Sequence, residues 1–69
     1  MILNVEYASP RGRNIYGFKV AATVNARINL KGVLVVKSPK TGIDMHIKEN
    51  GGRLFIRSMS GQTLATFTK

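Results

Sequence analysis

Catalysis needs groups that converge, and this chain carries few of them. Its acids are Glu6, Asp44 and Glu49, His46 is the only histidine, and cysteine is absent. Acid–base work by a carboxylate couple needs two neighbours whose proton affinities are pushed apart, and no pair here has that spacing. A lone histidine supplies one ligand where a metal centre takes three or four. Nothing around Ser38, Ser58 or Ser60 suggests a base beside an activated hydroxyl. No phosphate-cradling glycine loop stands before a helix. The expectation is a protein that binds without catalysing, with neither cofactor nor metal.

Binding chemistry is the stronger signal. Eleven lysines and arginines face three acids in 69 residues, for a formal net charge of +8. Such imbalance in so small a chain calls for a polyanion, with nucleic acid first and an acidic partner protein second. The most specific pattern is Arg53-Leu54-Phe55-Ile56-Arg57, which puts a ring between two guanidinium groups on one side of a strand. Phosphates would supply most of the affinity, and a base stacked on Phe55 would add roughly 1–3 kcal/mol. An open sheet with an aromatic suits single strands better than the major groove of a duplex. The competing place for Phe55 is beneath a second subunit or the terminal strand. Lys19, Arg27 and Lys31 form a second candidate set, and Arg11, Arg13, Lys37 and Lys40 are auxiliary contacts.

The element that must position the Arg-Phe-Arg pattern is a ribbon over residues 43–58. Two runs with alternate apolar residues flank Asn50-Gly51, which tolerates the positive φ angles of a two-residue type I′ turn. With that turn, Glu49 stands opposite Gly52, Ile47 opposite Leu54, and Met45 opposite Ile56, on one apolar side. The other side pairs Lys48 with Arg53, His46 with Phe55, and Asp44 with Arg57. A one-residue slip would expose the whole apolar set, so the two sides stay distinct.

Around the ribbon the chain reads as further strands. Residues 2–8 alternate as an opening strand, with Leu3, Val5 and Tyr7 on one side. Ser9 to Asn14, broken by Pro10 and Gly12, reads as a loop. From Tyr16 to Leu30 every even position is apolar, a period that predicts strand rather than helix. That stretch either turns at Asn25-Ala26-Arg27 or coils on as one long strand, with Lys19, Arg27 and Lys31 on its polar face. Val33-Leu34-Val35-Val36 is apolar on both faces and needs cover on both, the second from a partner subunit. Turns follow at 37–42 and 59–62, and Thr63–Thr68 is the last strand. A faint echo relates Gly32-x-Leu34-Val35-Val36-Lys37-Ser38 to Gly52-x-Leu54-Phe55-Ile56-Arg57-Ser58.

These elements predict one all-β domain over residues 1–69, an antiparallel meander or partly open barrel of five to six strands with little or no helix. A domain so small and without disulfides is expected to gain stability as a homo-oligomer. With no apolar run of membrane-spanning length and no leader pattern, a cytoplasmic location is expected. Regulation of transcription or replication is the usual use of such a module. The run Asn50-Gly51-Gly52-Arg53-Leu54-Phe55-Ile56-Arg57-Ser58-Met59-Ser60 is loosely similar to the Asn-Gly, Phe-Val, Met-Pro-Ser run of the stage V sporulation septation regulators, which are small nucleic-acid-binding proteins. This chain lacks the proline and the C-terminal helix of that family, so the likeness implies no membership.

Overall fold

The computed structural model describes all 69 residues. Seven antiparallel strands run β1 Ile2–Ala8, β2 Thr23–Ile28, β3 Leu34–Lys37, β4 Asp44–His46, β5 Lys48–Asn50, β6 Arg53–Arg57 and β7 Thr63–Thr68, with one short helix, α1 Pro10–Asn14. Their order in the sheet is β4-β3-β2-β1-β7-β6-β5. The two outermost strands, β4 and β5, are joined by the single residue Ile47. One bent strand thus pairs with β3 through its first half and with β6 through its second, and the sheet curls into a nearly closed barrel. No helix is long and apolar enough to cross a membrane.

Inside the barrel one cluster gathers Leu3, Val5, Phe18, Ala26, Val36, Ile47, Leu54, Ile56, Leu64 and Phe67, among others. Phe18 is wholly buried and meets Phe67 edge to face, with ring centroids 5.7 Å apart.

The ribbon turns one residue later than the dipeptide Asn50-Gly51 suggests. Gly51 and Gly52 both take positive φ, 61° and 82°, and Asn50 pairs with Arg53. Two successive glycines fill both left-handed positions at no steric cost, which leaves Asn50 in the strand. The pairs become Lys48 with Phe55 and Glu49 with Leu54. This register differs from the expected one by two residues, so every side chain keeps its face. The Arg53-Phe55-Arg57 side still points outward, but its neighbours change. His46 and Asp44 do not face Phe55 and Arg57; they pair with Val35 and Lys37 on β3.

Residues 15–31 are not one long strand. Only Thr23–Ile28 is extended, after a turn and coil in which Gly17 and Ala21 take positive φ of 81° and 70°. The even positions were apolar for different reasons. Phe18 and Ala26 enter the core, while Val20, Ile28 and Leu30 are exposed. The hairpin to β3 closes at residues 29–33, where the Asn29 side-chain oxygen accepts from the amides of Lys31 and Val33 at 2.9 Å, and not at Asn25-Ala26-Arg27.

Ser9 to Asn14 is a helical turn where a loop is expected. Ser9 Oγ accepts from the Gly12 amide at 3.0 Å, and Pro10 occupies the first turn, where its missing N–H costs nothing. Gly12 is buried against β7, and a methyl group there would run into the carbonyl oxygen of Leu64. Gly12→Ala is therefore expected to lower stability by about 1–3 kcal/mol through overpacking, read as a lower urea midpoint with an unchanged slope.

Val35 and Val36 are both buried, as a two-faced apolar strand requires, but the same chain supplies both covers. Val36 enters the core. Val35 points outward between its cross-strand neighbours Arg27 and His46. Across β3, Arg27 Nη2 reaches Asp44 Oδ2 at 2.7 Å. Both partners of that pair are about half exposed, so its value lies in holding the cover more than in Coulomb energy. The twenty-residue echo keeps one structural trace: Gly32 and Gly52, both at positive φ, stand in the turns before β3 and β6.

Candidate nucleic-acid interface

Strand alternation places Arg53, Phe55 and Arg57 on the outer face of β6. The neighbours of Phe55 on that face are Lys48 of β5 and Thr66 of β7. A shallow groove of about 180 Å³ lies here, lined by Asn50, Arg53, Phe55, Arg57, Thr63 and Thr66. Phe55 is half-buried, and the Arg57 guanidinium carbon sits 4.9 Å from its ring centroid. The ring therefore does not lie bare between two arginines. It forms the lower layer of a stack whose upper layer is a guanidinium, itself a plane on which a base can rest.

On this surface one residue expected there changes its partner, and one residue is new to it. Lys48 becomes the partner of Phe55 only in the observed register, and the signal for that register is the glycine pair 51–52. Alternation alone puts Tyr7 beside Leu3 and Val5. A bulge between Val5 and Tyr7 turns it outward instead, opposite Thr66 and about half exposed.

The second basic set does not join the first. Lys19 lies in the coil before β2, Arg27 on β2, and Lys31 in the β2–β3 turn. Strands β1 and β7 stand between β2 and β6. Arg27, moreover, is held by Asp44. Of the auxiliary residues, Lys37 and Lys40 border a separate groove with Thr23 and Asn25, and the Lys40 ammonium donates to the Asn14 carbonyl at 2.8 Å. Arg11 and Arg13 are exposed on α1.

The acids spread unevenly about the platform. Glu6 and Glu49 line one groove with Arg53 and Lys69, and Thr66 Oγ1 donates weakly to Glu6 at 3.4 Å. The serines serve turns: Ser38 Oγ is buried and donates to the Tyr16 carbonyl at 2.7 Å, while the Ser58 and Ser60 hydroxyls meet at 2.8 Å. No three side chains among His, Asp and Glu gather in a metal-binding group. The short likeness over residues 50–60 falls on a β-hairpin and the turn after it. Comparison of the chain with protein-family models, with curated proteins and with solved structures finds no match.

Proposed function

We propose that this chain is a small non-catalytic nucleic-acid-binding protein that prefers single strands. The observation that carries this reading is the outward platform of Arg53, Phe55, Arg57 and Lys48 on one sheet face of a chain with net charge +8. Backbone phosphates engage Arg53, Lys48 and the charge of Arg57, whose guanidinium plane over Phe55 also carries an exposed base. Side chains projecting from an outer sheet face meet splayed bases better than they fill a groove of B-form DNA, which takes a helix or a two-stranded ribbon.

The test is an anisotropy titration with a labelled oligothymidylate at two salt concentrations. Micromolar or tighter binding that weakens steeply with salt supports the proposal, because neutralising several phosphates releases counterions. A duplex of the same length should bind more weakly. Absence of binding even at low salt overturns the reading and leaves an acidic partner protein as the polyanion.

A further inference from the structure

Closing the barrel through one bent strand leaves a gap. After Ile47 the chain belongs to the β5–β6 pairing, and before it to β3–β4, so β4 and the far end of β6 separate without pairing. This seam is a groove of about 730 Å³, roughly four times the volume of the groove beside Phe55. Its apolar wall includes Tyr16, Met45 and Ile56, and the fully exposed Met59 stands at its rim. Three cations border it, Arg11, Lys48 and Arg57. Arg57 lines the Phe55 groove as well, so the two depressions meet at that side chain.

Backbone groups are also free there. On either side of β4, the Ile43 carbonyl accepts from the Ser38 amide at 2.8 Å and the Ile47 amide donates to the Leu34 carbonyl at 2.9 Å, both toward the β3 side. Alternation then turns the amides and carbonyls of Asp44 and His46 toward the seam. Such groups match the donor and acceptor edges that unpaired bases present.

Charge decides which way a strand leaves the platform. Past Arg53 it meets the carboxylates of Glu6 and Glu49. Past Arg57 it enters the seam, whose one acid, Asp44, is already bonded by Arg27 at 2.7 Å. We infer that the seam is a second nucleotide subsite: a single strand crosses Arg57 from the Phe55 platform, sets a base against Tyr16, Met45 and Met59, and lays its phosphates on Arg11 and Lys48. This inference rests on the proposed function and extends it to a route and a polarity of charge.

The experiment compares labelled oligothymidylates of about four and about twelve nucleotides, the span typical of small β-barrel sites. The outer face of β6 from Arg53 to Arg57 covers only about 14 Å, enough for the shorter probe alone. Arg11→Ala is expected to weaken the longer probe about five- to tenfold, to lower its salt slope by about 0.7, and to leave the shorter one unchanged. Met59→Glu, at a fully exposed turn position, should act in the same direction without touching the fold. In amide NMR spectra the longer probe should shift His46 and Tyr16 and the shorter should not. Equal effects of both variants on the two lengths, or shifts confined to residues 48–57 with the longer probe, overturn the seam and leave the platform standing. Equal competition by polyglutamate also overturns it, since that result makes the groove a site for acidic peptide. Failure of both probes to bind overturns the platform itself.

Discussion

Reversing Arg53 and Arg57 together to glutamate is expected to weaken single-stranded oligonucleotide binding by about a thousandfold at low salt. A charge pair at about 4 Å is worth about 1 kcal/mol in water, and turning attraction into repulsion doubles the change at each site. Two sites give about 4 kcal/mol, and each 1.4 kcal/mol is tenfold in affinity. The salt slope should fall by about 1.4, which is two phosphate contacts on a single strand. Both side chains are exposed, so the unfolding free energy should change by no more than about 0.5 kcal/mol. Phe55→Ala tests the other half of the platform. It removes the ring beneath Arg57 and should cost about 1–3 kcal/mol of binding with little change in salt slope. Unchanged affinity in the double variant would show that the polyanion docks elsewhere on the barrel.

The largest effect on stability is expected from Phe18→Ala, about 3–5 kcal/mol. Phe18 is the bulkiest of the wholly buried side chains and the edge-to-face partner of Phe67. It also lies outside the strands, in the coil between α1 and β2, where its amide donates to the Gly12 carbonyl at 3.1 Å. Its loss would both open a cavity and release the segment that ties the helix to the barrel. A domain of this size has only a few kcal/mol to spare, so the variant should be substantially unfolded at 37 °C by circular dichroism. Phe18→Leu fills most of the space and should recover most of the loss. A small shift for Phe18→Ala would mean that the core closes over the gap.

The sequence made the fold class and the facing of the ribbon legible, for one physical reason: alternation fixes the face of each side chain more firmly than it fixes its partner. A two-residue shift in the hairpin therefore left Arg53, Phe55 and Arg57 outside yet moved Lys48 opposite Phe55, and the bend at Ile47 sent His46 to β3. Alternation misled at Tyr16 to Leu30, where apolar even positions belong partly to the core and partly to exposed coil and turn. The missing information was conformational: Gly17 and Ala21 take left-handed backbone that period two does not report. Tyr7 escaped notice because a bulge leaves no clear mark in composition. The helical turn was readable at Ser9-Pro10, a good cap and first-turn pair, but five residues give too short a period to detect. The second basic set stands apart from the first because of strand order, which depends on the closure of the whole barrel and not on any single stretch.

The bend at Ile47 has a consequence for motion. β4 is three residues long, fastened by β3 along one edge, by the exposed Arg27–Asp44 pair, and by Met45 and Ile47 against the core. Detaching it costs far less than unfolding the domain, so hydrogen exchange at the Ile47 amide, which donates to the Leu34 carbonyl, should be quicker than at Val5 or Phe67. The amides of Asp44 and His46, turned toward the gap, exchange without detachment. Access to the gap beside β4 is then governed by a small, local equilibrium, and a ligand seated there would slow exchange at those two amides while leaving the rest of the barrel as it was.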